Sequence, residues 1–75
     1  MEYRTLDGAR FTASSPEELA KELWQSQFDP PATLEEWMQG SAERAKLWNG
    51  AILRTDSVDN HIADMLAAGL LEILS

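Results

Sequence analysis

The chain has no cysteine among its 75 residues. That excludes disulfide staples and thiolate metal sites, and with them any need for an oxidising compartment. Long apolar runs are also missing. The longest are a few residues, far short of the roughly 20 that cross a bilayer. The opening stretch, Met1 to Arg10, has no apolar segment of the kind a secretory signal carries, so the expectation is a cytoplasmic protein. Basic side chains are scarce: six Lys and Arg stand against thirteen Asp and Glu, a formal net charge of −7. Such a chain repels nucleic acid and anionic membranes, and its electrostatic complement is a basic protein surface. The same charge also serves solubility. No P-loop, dinucleotide fingerprint or zinc pattern occurs, so no cofactor or metal is expected.

What is present is enough for one small globular domain. Apolar residues make up 44% of the chain, too many for a disordered segment. A domain of this size buries a small core and is only marginally stable alone.

The order of elements can be read from local grammar. Tyr3 to Leu6 is β-rich, Asp7-Gly8 suits a tight primed turn, and Ala9 to Thr12 alternates, which predicts a short hairpin. Tyr3, Leu6 and Phe11 are candidates for its buried side, although strict alternation cannot place Tyr3 and Leu6 on one face without a bulge or a frayed end. Ser15-Pro16-Glu17-Glu18 opens a helix: Ser15 caps, Pro16 suits the first turn, and Glu18 completes a capping box. Leu19, Ala20, Leu23, Trp24 and Phe28 then recur at helical spacing until Asp29-Pro30-Pro31 ends the run.

Thr33-Leu34-Glu35-Glu36 opens a second helix in the same way. Its apolar face is Leu34, Trp37, Met38, Ala42, Ala45 and Trp48, and Asn49-Gly50 ends it. Gly40 and Ser41 suggest a close approach of two elements. Ala51 to Arg54 reads as a short strand. Asp56-Ser57 caps a third helix with Val58, Ile62, Met65 and Leu66 on one face, and Gly69 sits where a left-handed cap belongs. Leu70 to Leu74 reads as a final strand, with a continued helix as the competitor. The sum is a single α+β domain over residues 1–75, in the order β-β-α-α-β-α-β, with three helices packed on a small sheet.

Glu18 and Glu22 share a helix face, but a hard cation wants oxygens from more than one element, and an acid–base pair needs unequal surroundings. A wet helix face supplies neither, and Glu35 and Glu36 are placed by the helix dipole. His61, the one histidine, lies beside the apolar stripe of the third helix with Ser57 and Asp64 one turn to either side. That row resembles a triad only in composition. No nucleophile elbow or glycine-rich oxyanion loop accompanies it, so His61 is expected as a helix-edge residue and the protein as no enzyme. Arg44 and Lys46 are expected to pair with Glu43 and Glu36 on their own helix.

The remaining signals concern a partner. Glu17, Glu18 and Glu22 on the first helix and Glu35, Glu36 and Glu43 on the second would merge into one negative surface if the two helices lie side by side. Carboxylates so spaced can stand in for phosphates in a basic groove. Trp48, at the end of its helix, is the candidate apolar anchor, because Trp is enriched at binding hot spots. Leu47 falls off the apolar face, among Gly40, Glu36 and Glu43, and is a candidate exposed contact.

In length, charge, absence of cysteine and Glu-rich helix starts (SPEEL, TLEEW), the chain resembles the small acidic inhibitor proteins of phages and mobile elements, a class that includes the anti-CRISPR proteins. The resemblance implies a cytoplasmic, non-enzymatic inhibitor or modulator of a nucleic-acid-handling complex. It would bind a basic protein surface rather than nucleic acid or membrane. The alternative is a small structural subunit, such as a homodimer, that self-associates through exposed apolar residues.

Overall fold

The computed structural model describes residues 1–27 and 29–74. Three helices and a three-stranded antiparallel sheet form the α+β domain that the sequence leads one to expect. Strand β1 spans Glu2–Thr5 and β2 spans Arg10–Thr12, paired with Tyr3 opposite Phe11 and Arg4 opposite Arg10. The turn between them differs from the expected two-residue primed form. The Gly8 N–H donates to the Thr5 carbonyl at 3.0 Å and the Thr5 N–H to the Ala9 carbonyl at 2.9 Å, closing a three-residue loop. Only Gly8 takes a positive φ there, +90°. Asp7 stays at negative φ because its carboxylate already accepts from the Thr5 hydroxyl and from the Ala9 N–H. Leu6 is carried to the loop tip, 71% exposed, while Tyr3 is buried and Phe11 half-buried.

Helix α1, Pro16–Gln25, starts as expected, with the Ser15 hydroxyl accepting from the Glu18 N–H at 3.1 Å. The reciprocal arm of the box reaches one residue further back: the Glu18 carboxylate accepts from the Ser14 hydroxyl at 2.8 Å. Leu19, Ala20 and Leu23 are its buried face. Phe28, expected on the same face, lies outside the described residues. Trp24 is half-buried, and its indole N–H donates to the Pro31 carbonyl at 2.7 Å, which ties the proline turn back onto α1.

Helix α2, Leu34–Asn49, is capped by Thr33 and closed by Gly50 at φ +68°. It packs on α1, and its buried residues are Trp37, Met38 and Ala45. Among the described residues, a Cβ built at Gly40 would meet only the tip of Arg44 within 4 Å, so they show no close approach of a second element there.

Helix α3, Val58–Ala67, packs on α1 and on the sheet. Its end is a Schellman turn. Gly69 adopts φ +78°, its N–H donates to the Leu66 carbonyl at 3.2 Å, and the Leu70 N–H donates to the Met65 carbonyl at 2.9 Å. The chain then turns into β3, Leu71–Ile73, antiparallel to β1 with Thr5 opposite Leu71 and Arg4 opposite Glu72. The strand reading of Leu70 to Leu74 is therefore the correct one of the two.

Ala51 to Arg54, expected as a strand, pairs with none of the strands in the sheet order β2-β1-β3. β1 is already paired on both sides. The backbone of Arg54 is satisfied by α3 instead, its N–H by Asp64 and its carbonyl by His61. The segment stays extended without a ladder, with Leu53 buried and Ile52 83% exposed.

Tyr3 and Leu71 join the buried residues of the helices, including Leu19, Ala20, Trp37 and Ile62, in one core. Arg4, Arg10 and Glu72 are neighbours across the three strands, and there Arg4 pairs with Glu72 at 2.8 Å.

Candidate protein-binding surface

The phase of α2 decides which of its side chains a partner can reach. Trp37, Met38 and Ala45 fix the buried side. At 100° per residue, Glu36, Gly40, Glu43 and Leu47 then form a stripe facing away from the core. Leu47 is accordingly 80% exposed. Trp48 belongs by periodicity to the apolar face, yet the helix closes at Asn49. The indole is left 77% exposed, in agreement with its position one residue before the end of α2.

Beside Trp48 lies an open groove of about 480 Å³. Its lining includes Phe11, Leu23, Ala45, Met65 and Leu70, with Leu6 from the hairpin loop and Trp48 among the more exposed lining residues. Charge enters this groove from Asp7 and Arg44. No glutamate lines it, so on this side the acidic faces of α1 and α2 do not meet. A second, shallower hollow of about 220 Å³ lies on the other flank of α2, between Glu43, Lys46 and the extended Ala51 to Leu53.

All six candidate glutamates are exposed. Glu17 pairs loosely with Lys21 at 3.8 Å, and Glu18 is held by Ser14. Glu22, Glu35, Glu36 and Glu43 form no ion pair among the described residues, and the expected pairs of Glu36 and Glu43 with Arg44 and Lys46 do not form. Arg44 instead folds back toward Gly40, where its Nη1 would sit 3.4 Å from an added Cβ. Glu36, Glu43, Leu47 and Trp48 thus share one stretch of helix, free side chains all, while Glu17, Glu18 and Glu22 occupy the outer side of α1.

The row Ser57, His61, Asp64 is dismantled by its own hydrogen bonds. The Ser57 hydroxyl caps α3, accepting from the Asn60 N–H at 3.1 Å. Asp64 accepts from the Arg54 N–H at 2.8 Å and from the Arg54 guanidinium at 2.9 and 3.0 Å. Those bonds hold the Asp64 carboxyl below its usual range and the Arg54 guanidinium above its own. His61 is not at the helix edge, as the sequence suggests, but fully buried. Its ring meets Trp37 edge-on, with centroids 5.3 Å apart. The signal missed in the sequence is that Trp37 and the extended segment before α3 close over the stripe that carries His61.

The sequence does not mark Leu6 and Ile52 as surface contacts, although they are 71% and 83% exposed. Leu6 adjoins Asp7-Gly8, so a three-residue turn would have exposed it. Nothing local marks Ile52, whose neighbours look like strand.

No family model, curated protein or solved structure matches this chain.

Proposed function

We propose that this chain is a non-enzymatic protein-binding module, an inhibitor or modulator that docks on a basic surface of a larger partner. The observation that carries this reading is the pair Leu47 and Trp48, 80% and 77% exposed at the end of a helix whose outer stripe is otherwise Glu36 and Glu43. Leu47 and Trp48 with charged neighbours of both signs, Glu43 and Asp7 against Arg44 and Lys46, match the anatomy of a binding patch with an aromatic centre and a polar rim. The net charge of −7 directs it to a basic target, and nucleic-acid-handling complexes present such surfaces. Glu17, Glu18, Glu22 and Glu35 extend the negative field rather than make the anchor.

The test is a binding assay with two variants. Trp48→Ala should weaken binding by about 2 kcal/mol or more, roughly thirty-fold, since that is the scale of an aromatic hot spot. Reversal of Glu18, Glu22, Glu36 and Glu43 to Lys should slow association and abolish capture at physiological salt. Unchanged binding by both would refute the reading.

A second reading rests on the exposure of Leu6, Leu47, Trp48 and Ile52 together, which also suits self-association. Light scattering at micromolar concentration separates the two. A stable dimer lost in Trp48→Ala would favour assembly over inhibition.

A further inference from the structure

Among the described residues His61 is the one buried titratable side chain besides Tyr3, and one of its two ring nitrogens is hydrogen-bonded. Its Nδ1 lies 2.8 Å from the Arg54 carbonyl, an oxygen that can only accept, so Nδ1 carries the proton. In the neutral ring Nε2 is then the acceptor. It is buried and has no hydrogen-bond partner among the described residues. Arg54 sits in the segment that connects α2 to α3, and that segment has no ladder of its own. It is held to α3 by His61 at the carbonyl and by Asp64 at the N–H and the guanidinium.

A proton has one place to go on this ring, and it is Nε2. An N–H there would be a buried donor without an acceptor on a charged ring, which is costly on both counts. The groups around it offer little relief. Asp64, on the same helix, is the one nearby carboxylate, and its oxygens are committed to Arg54. Arg54 adds a cation, and α2 presents Trp37, which does not titrate. Burial accordingly lowers the His61 pKa from the ordinary 6.5, against the smaller opposing effects of the Arg54 hydrogen bond and the Asp64 charge.

We infer that His61 is an acid-operated latch: as a neutral ring it fastens the connecting segment and Trp37 to α3, and proton uptake drives it out of that site. The sign follows from linkage. The unfolded chain takes up the proton near 6.5 and the folded chain only at lower pH. The contribution is therefore complete above the unfolded value and is lost as pH falls below it and on through the folded value. It is independent of any partner.

The experiment compares the wild type with His61→Asn, whose amide can donate to the Arg54 carbonyl but does not titrate. Urea midpoints are measured at about pH 7.5 and about pH 5.5, where the linkage slope is at most about tenfold in the folding constant per pH unit. The latch predicts that the wild type loses several-fold in that interval and that His61→Asn does not. It also predicts, by NMR, that the His61 ring resonances of the folded wild type stay in the neutral form through 6.5. An equal loss in His61→Asn, or a folded-state ring that titrates at its ordinary value, overturns the inference. Should His61→Asn fail to fold, the ring titration of the wild type decides alone.

Discussion

The Nδ1–H of His61 donates to the carbonyl of Arg54 across 2.8 Å, seven residues back in the chain. With Asp64 on the N–H and guanidinium of the same arginine, three polar groups of Arg54 are fixed from a single turn of α3. That clamp stands where the sequence suggests a β-ladder, and it orders a stretch whose buried contribution is Leu53. The connection between α2 and α3 is therefore as specific as a strand would be.

Asp64→Asn should lower the denaturation midpoint, because the amide loses the charge and the second acceptor oxygen, and its NH2 would face the Nη2 donor of Arg54. The acid limb gives the sign. The carboxyl lies below its ordinary 3.8 in the fold, so its contribution is present above that value and lost as pH falls through the folded pKa. In Asp64→Asn that low-pH loss should be smaller than in the wild type, as read by circular dichroism across an acid titration. This loss begins below 3.8, whereas the loss at His61 begins near 6.5.

Two glycines should respond oppositely to alanine. Gly40 has ordinary helical dihedrals, and a Cβ there meets only the flexible end of Arg44. Gly40→Ala should stabilise by about 0.5–1 kcal/mol. Gly69 holds φ +78° in the turn between α3 and β3, and Gly69→Ala should destabilise by about 1–2 kcal/mol. Thermal melts of the two variants check both signs.

Core and surface leucines make the third contrast. Leu19 is fully buried at the centre of α1, and Leu19→Ala should cost about 2–5 kcal/mol. Leu47 is 80% exposed, and Leu47→Ala should change stability by no more than about 0.5 kcal/mol. A large stability loss at Leu47 would place that residue in the fold and remove it from the binding surface.

The parts of this fold legible in the sequence are those decided locally. Ser15, Thr33 and Ser57 announce the helix starts because each hydroxyl serves an N–H three residues on. Gly50 and Gly69 mark the helix ends because each takes the left-handed conformation that a side chain opposes. What the sequence conceals is decided by pairing at a distance. β1 takes β3 as its second neighbour, and the tempting strand at Ala51 to Arg54 is left to bond with side chains. His61 looks like an edge residue until Trp37, 24 positions earlier in the chain, is placed against it.

The candidate binding surface is legible to the same degree. Leu47 falls outside the apolar stripe by simple phase, and Trp48 is exposed because its helix ends there. The groove beside Trp48 has no local signature, since it is assembled from the hairpin loop, the C-terminal parts of α1 and α2, and the end of α3 with the turn after it. No rule of spacing relates Leu6 to Trp48.

The most direct test of the binding account is capture from a lysate of the source cells with the tagged wild type and with Trp48→Ala, at low and at moderate salt. Trp48 is too exposed for its loss to unfold the domain, and circular dichroism of the variant verifies that point. The account predicts a basic protein or complex that the wild type retains at low salt, that moderate salt releases, and that Trp48→Ala fails to hold. The same proteins retained equally by wild type and variant, or a capture indifferent to salt, would contradict it.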